Sequence, residues 1–209
     1  MYVKDKMTAN PYTIQPDTSI SDAFSIMKDN GFHQLPVVKG GKLVGLLTEK
    51  ELQNVTPSTA TSLSVYELNY LLTKITVAQA MITNPITIEA DALLEKAAVL
   101  MRSHDVRALP VMDGKKLVGV ITQSDIFDAF IEMMGARNAG ARLEIKVPSK
   151  AGIGADILGI IRDAGVNILH MVLNNGNSEN GELIMKLDSE DVDDICKKLR
   201  ERGYAVNCG

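Results

Sequence analysis

Apolar residues fall at Ile20, Ala23, Phe24 and Met27, a helical spacing. The polar start signal Asp17-Thr18-Ser19 precedes them and the stop signal Asn30-Gly31 follows. The period then shortens. Leu35-Pro36-Val37-Val38 and Leu43-Val44-Gly45-Leu46-Leu47 are two brief apolar runs around the turn Lys39-Gly40-Gly41-Lys42, which predicts a hairpin. A second helix is expected to open at Thr48-Glu49-Lys50-Glu51-Leu52. The unit reads β-α-β-β-α.

The same pattern returns 74 residues later. Met7 falls on Met81, Asn10-Pro11 on Asn84-Pro85 and Thr13-Ile14 on Thr87-Ile88. Asp17, Ala23 and Met27 fall on Asp91, Ala97 and Met101, and Leu35-Pro36-Val37 on Leu109-Pro110-Val111. Lys42-Leu43-Val44-Gly45 matches Lys116-Leu117-Val118-Gly119, and Thr48 matches Thr122. The unit is too long for a solenoid repeat of about 20–50 residues, so it is a duplicated small domain. Between the copies, Pro57 and a Ser/Thr cluster predict a loop. Val65, Leu68, Leu72 and Ile75 mark one apolar helical face, with Tyr66 and Tyr70 on the same helix and expected to pack in the core.

After the small-residue stretch Gly135–Ala141 the pattern changes again. A strand (Arg142–Val147), a loop (Pro148–Gly154) and a helix are followed by two strands, a helix and a closing strand, Tyr204–Cys208. The order βαββαβ is the ferredoxin-like one. The expected fold class is α/β (α+β). The divisions are residues 1–60, a connecting helix 61–76, residues 77–134, a linker 135–141 and residues 142–209.

The net charge of −4 offers no basic field for nucleic acid. No apolar run approaches the roughly 20 residues of a membrane helix, and the N-terminus lacks a signal-peptide pattern, so a cytoplasmic protein is expected. Cys196 and Cys208 form neither a disulfide framework nor a metal-ligand spacing, and no metal is expected. His33, His104 and His170 lie in different elements, and no nucleophile elbow, Walker loop or His-Glu-x-x-His motif occurs. The chain is not expected to be an enzyme, and no catalytic residue or catalytic cofactor is assigned.

Each copy ends in Thr-x-x-acid: Thr48…Glu51 and Thr122…Asp125. At a helix start this pattern is a capping box, satisfying two orphan backbone N–H groups. A second reading rests on Gly45 and Gly119, since glycine weakens a strand unless something approaches its backbone closely. A nucleotide is such a group. A carboxylate accepts two hydrogen bonds from a ribose diol, and a helix N-terminus attracts phosphate.

The doubled Asn-Pro-x-Thr-Ile leader, Leu-Pro-Val strand and Leu-Val-Gly-apolar-apolar-Thr-x-x-acid ending resemble the CBS domain family, and the pair resembles a Bateman module over roughly residues 1–134. The resemblance implies two repeats paired about a pseudo-twofold, with an adenosine-containing ligand (AMP, ADP, ATP or S-adenosylmethionine) in the clefts. It implies that Asp125 holds the ribose, with Thr122 and Ser124 facing phosphate, and that Glu51 and Thr48 occupy the matching places in copy one. Adenine would lie against Thr13, Ile14, Leu35 and Pro36 in one copy and Thr87, Ile88, Leu109 and Pro110 in the other. Arg107 is the expected phosphate cation, and His33 is its counterpart.

The C-terminal third resembles an ACT domain, through Val147-Pro148, Gly152, Gly165-Val166-Asn167-Ile168 and Gly203-Tyr204-x-Val206. Such modules pair with a second copy and bind amino acids at the interface, which implicates Ser149, Ala151, Gly152, Ile153, Asn167 and Ile168. The Asp-x-Pro-Gly loop of the family is Ser149-Lys150-Ala151-Gly152 here, lacking the acid and the proline. The order CBS-CBS-ACT resembles the acetoin-utilisation protein B family. The function this implies is a homodimeric regulatory sensor whose target enzyme is unidentified. The alternatives are a ligand-independent scaffold and, less favoured, an enzyme.

Overall fold

The computed structural model describes residues 1–55, 65–174 and 180–209. These form two compact units, Met1–Phe127 and Asp128–Gly209. The expected loop at Pro57 lies outside the described residues, as do the side chains of Val65, Tyr66 and Leu68.

In the first unit the chain runs β1 (Thr8–Ala9), α1 (Ile20–Asn30), β2 (Gln34–Lys39), β3 (Lys42–Thr48), α2 (Glu49–Val55), α3 (Val65–Lys74) and α4 (Val77–Ala80). It continues through β4 (Ile82–Thr83), β5 (Ile88–Glu89), α5 (Leu94–His104), β6 (Ala108–Asp113), β7 (Lys116–Thr122) and α6 (Gln123–Met133), which carries the chain into the second unit. The repeat in sequence is a repeat in space. Ile14, Ile20, Ala23, Met27, Leu35 and Val37 are buried, and so is each partner 74 positions on: Ile88, Leu94, Ala97, Met101, Leu109 and Val111. Both long helices end in a left-handed residue, Gly31 (φ 66°) and Asp105 (φ 52°). The next N–H then reaches back to Met27 O (2.9 Å) or Met101 O (3.0 Å), a closure that satisfies an orphan carbonyl. Two side chains depart from expectation. Phe24 is 55 % exposed, on the face of α1 away from the core, and Tyr70 is exposed, with the Lys74 ammonium 5.2 Å above its ring. Leu72 and Ile75 do pack against the core of copy one.

The leaders are exchanged between the copies. β1 belongs to copy one by sequence, yet it pairs antiparallel with β7, Ala9 opposite Gly119. β4, the leader of copy two, pairs with β3, Thr83 opposite Gly45. The backbone bonds repeat the exchange with the same 74-residue symmetry. Val3 N–H donates to Ala92 O (2.9 Å) and Val77 N–H to Thr18 O (2.8 Å). Leu94 N–H donates to Met1 O (3.1 Å) and Ile20 N–H to Ile75 O (2.9 Å). Val3 and Val77 are both fully buried. The two sheets of this unit therefore run β1-β7-β6-β5 and β2-β3-β4.

This exchange explains the strand glycines and corrects their sequence reading. A Cβ on Gly45 would collide with the Met81 sulfur and stand 3.0 Å from Ile82 O. A Cβ on Gly119 would collide with the Met7 sulfur and stand 3.1 Å from Thr8 O. The group that approaches each glycine is the other copy's leader methionine, not a ligand.

The second unit holds β8 (Arg142–Pro148), α7 (Ile153–Asp163), β9 (Ile168–Asn174), β10 (Asn180–Leu187), α8 (Asp193–Glu201) and β11 (Ala205–Cys208). The strands form one antiparallel sheet in the order β11-β8-β10-β9, which is ferredoxin-like topology. Burial alternates along β8, with Leu143, Ile145 and Val147 inward, and the apolar faces of α7 and α8 cover that side. Among the described residues, no helix is long and apolar enough to cross a membrane.

The expected linker Gly135–Ala141 is folded onto this unit. Ala141 is buried, its N–H donates to Ser189 O (2.8 Å), and the Lys186 ammonium donates to Gly140 O (2.6 Å). The expectation that the two cysteines form no disulfide framework is corrected. After Arg202-Gly203 the chain turns back, so β11 runs beside α8, and Cys196 and Cys208 form a disulfide with Cα atoms 6.7 Å apart.

Two substitutions test the packing. Gly45→Ala is expected to cost about 1–3 kcal/mol, the range for overpacking a filled site. A double-mutant cycle with Met81→Ala should show clear non-additivity, because the shorter side chain vacates the space. An additive cycle would detach the glycine from the leader. Gly159, inside α7 with open space at its Cβ position, should instead stabilise on replacement by Ala, by about 0.5–1 kcal/mol. Chemical denaturation reads both.

Candidate functional site

The N-terminal ends of β2 and β6 organise the residues singled out by sequence. β6 lies between β7 and β5, with Ala108 opposite Thr122 and Val111 beside Ile88. The leader segment and the start of α6 therefore flank the same end of β6. Arg107 stands one residue before the strand, and its carbonyl accepts from Gln123 N–H (3.0 Å). Copy one repeats this. Gln34 is opposite Thr48, Glu49 N–H donates to His33 O (3.2 Å), and Ile14 bridges to Val37.

The apolar members are buried. Ile14, Leu35, Ile88 and Leu109 are in the core, as are Pro36 and Pro110, so these side chains pack the strands together. Ile14 N–H donates to Pro36 O (3.1 Å) and Ile14 O accepts from Val38 N–H (2.9 Å). Thr13, Thr87 and Ser124 are exposed.

The Thr-x-x-acid motif forms a capping box in copy two and a side-chain pair in copy one. Thr122 donates through both its N–H and its hydroxyl to Asp125 Oδ2 (2.7 Å each), and Asp125 N–H donates back to Thr122 Oγ1 (3.4 Å). Thr48 donates its hydroxyl to Glu51. One oxygen of Asp125 is used in this box. The other, Oδ1, makes no hydrogen bond among the described residues, and Thr122 and Asp125 are only half-buried.

The two copies differ in charge arrangement, through a residue the sequence reading passed over. His33 Nδ1 lies 3.0 Å from Glu49 Oε1, both exposed. The position equivalent to Glu49 is Gln123, which carries no charge, and Arg107 is exposed with no side-chain partner among the described residues. The available signal was the change from Glu to Gln at one position of the repeat.

In the second unit the predicted residues fall into two groups. Ser149, Ala151 and Gly152 are exposed and Ile153 half-buried at the N-terminus of α7, where Gly152 is left-handed (φ 87°). Asn167 and Ile168 follow its C-terminus, in a shallow groove shared with Leu158, Ile161 and Arg162. An 11-residue helix is about 16 Å long, so one protomer does not bring the groups together. Asn167 is tied into the strand start: its N–H donates to Asp188 Oδ1 (3.0 Å) and its carbonyl accepts from Asp188 N–H (3.1 Å). Nearby, the hydrogen bond and charge of Arg142 hold the Glu144 carboxyl below its ordinary pKa. Burial, then the charge and hydrogen bond of Asp156, push the Tyr204 phenol up. Among the described residues, no cluster of three His, Cys, Asp or Glu is placed to hold a metal ion.

Known proteins share the first unit. A CBS domain-containing protein of Dictyostelium discoideum is 35 % identical over 134 residues, covering 63 % of this chain and 92 % of that protein. Among solved structures, an acetoin utilization protein (AcuB) from Vibrio cholerae superposes with a TM-score of 0.55 at 25 % identity, over 66 % of this chain and 95 % of that one. CBSX2, solved in complex with AMP, gives 0.52 at 28 % identity over 62 % and 96 %. The CBS domain pair of protein MJ0100, solved with 5′-methylthioadenosine and S-adenosyl-L-methionine, gives 0.53 at 26 % identity over 66 % and 98 %. The family profile of the CBS domain matches twice, at residues 3–56 and 77–132, each match containing one strand–helix–hairpin–helix copy. With both copies matched and the pair built as described, the chain belongs to the CBS domain family.

Proposed function

We propose that this protein is a non-catalytic regulatory sensor that binds an adenosine-containing ligand in its CBS pair, with copy two the stronger site. The observation that carries this reading is the pairing of a half-used carboxylate with an unpaired cation. Asp125 Oδ1 is free to accept from a ribose diol, and Arg107 is free to meet phosphate at the same end of β6. Copy one offers less, because His33 is engaged by Glu49. The AMP and S-adenosyl-L-methionine complexes of similar CBS proteins support the ligand class. The likeness to the Vibrio cholerae protein supports a place in acetoin utilisation.

The C-terminal unit is an ACT-type module, supported by its ferredoxin-like sheet order and the Gly165-Val166-Asn167-Ile168 turn. Its two groups of candidate residues lie at opposite ends of α7, so an amino-acid site at this position needs a second copy to complete it. A homodimer follows, and symmetric pairing is the usual form of such assembly. The competing reading is a ligand-independent scaffold. It is favoured by the caps themselves, since Thr122 and Asp125 already satisfy one another.

Calorimetric titration separates sensor from scaffold. Asp125→Ala is expected to weaken nucleotide binding about 10- to 150-fold, the loss of one charge-assisted hydrogen bond of roughly 1.5–3 kcal/mol. Glu51→Ala should do less, and Arg107→Ala should weaken ATP more than adenosine. Thr122→Val should lower stability by about 1 kcal/mol through the lost cap, whichever reading holds. An Asp125→Ala protein that binds AMP and ATP as the parent does, or a parent that binds neither, leaves the scaffold. Sedimentation at micromolar concentration is expected to show a dimer, and a single species at 22.7 kDa would defeat that assignment.

A further inference from the structure

The disulfide of the second unit is asymmetric in surroundings. Cys196, on the inner face of α8, is 2 % exposed and packs with Ile195 and Leu199. Cys208, in the edge strand β11, is half-buried. The Arg200 guanidinium stands beside it, Nη2 3.9 Å from Cys208 Sγ and 3.5 Å from Val206 O. Thiol–disulfide exchange requires a thiolate to reach one sulfur in line with the bond, with the other sulfur leaving. Here Cys208 is the more exposed of the two cysteines, and a cation flanks its sulfur, where negative charge spreads over three sulfurs in the transition state. Disulfides in compartments held reducing by small thiols are typically transient and redox-sensing rather than structural.

We propose that Cys208 is a site of reversible S-thiolation by low-molecular-weight thiols, with Cys196 as the resolving thiol. A thiolate RS⁻ of the glutathione class attacks Cys208 Sγ and forms a new S–S bond. The Sγ–Sγ bond breaks, and its electron pair leaves on Cys196, which takes up a proton. The product is a mixed disulfide at Cys208 and a free thiol at Cys196. A second RS⁻ attacking the R-side sulfur releases RSSR and the Cys208 thiolate, completing a two-electron reduction. The reverse sequence uses RSSR as oxidant, and Cys196 expels RS⁻ to close the bond. Opening the bond removes the covalent tie between β11 and α8, leaving the strand held by its ladder to β8, by the Arg200–Val206 contact and by the paired bonds between Arg142 and Gly209 (2.8 and 3.0 Å).

The test uses the full chain, oxidised, incubated with reduced glutathione, quenched by alkylation and mapped by peptide mass. The expected result is glutathionyl on Cys208 and alkyl on Cys196. Cys208→Ser should lose the adduct. Cys196→Ser, treated with oxidised glutathione, should accumulate it, because nothing expels it. Arg200→Gln should form the adduct more slowly with an unchanged melt. An adduct on Cys196, an even partition between the two, or thiols that fail to pair under oxidised glutathione would overturn the proposal. The mapping of the parent needs no substitution, so it decides even if a variant fails to fold.

Discussion

Val3 and Val77 hold the first unit together by crossing over. Each is fully buried and donates its N–H to a carbonyl just before the other copy's helix, and each is followed four residues on by a methionine that lies on the other copy's strand glycine. Neither sheet is complete without the crossing: β3 has β4 at its edge, and β7 has β1. The helix starts depend on it too, since Ile20 and Leu94 donate their N–H groups to Ile75 and Met1. Every later feature of the unit, including the position of each Thr-x-x-acid motif, is built on strands whose outer edges this exchange closes. An unpaired strand edge invites association with other chains, so the closure also protects the unit.

The candidate site is made from the ends of these strands, and its chemistry comes from small differences between equal halves. Both copies place a polar or basic residue before the Leu-Pro-Val strand and an acid three residues after a threonine. Copy one pairs its ring nitrogen with Glu49, whereas copy two leaves a guanidinium facing solvent beside an uncharged glutamine. The cap and the ligand readings draw on the same carboxylate but on different oxygens, so one does not displace the other. A cap that fixes the rotamer of Asp125 also aims its free oxygen, and a pre-aimed group loses less freedom on binding.

Much of this was legible along the chain because local signals agree with the fold. Ser19 caps α1 through Asp22 N–H (3.0 Å), as the polar cluster before Ile20 suggests. The alternation in Arg142–Val147 gives β8, and the acids and bases at the ends of α8 mark its polarity. What could not be read was long-range. Periodicity assigns a leader to the repeat that contains it, and only the folded chain shows Thr8 on Val120 and Ile82 on Leu46. The reason for Gly45 and Gly119 was misjudged for that cause: a neighbour from 36 or 112 positions away leaves no local mark. Phe24 fits a helical period yet faces outward, because Ala23 and Met27 already fill the space beneath α1. The cysteine pair escaped notice because two cysteines 12 apart have no motif until a helix and the returning strand bring them alongside.

The crossed leaders bear on what a single repeat could be. One copy alone would carry a strand with nothing to join and a hairpin with nothing beside it, so its smallest closed form is a pair. Two separate chains would have to meet from dilute solution and would be condemned to identical sites. Joining them end to end replaces that encounter with an effective concentration in the millimolar range for a short connection. It also frees each half to vary alone. The histidine–glutamate pair on one side and the bare arginine on the other are differences that only a covalently linked pair can keep.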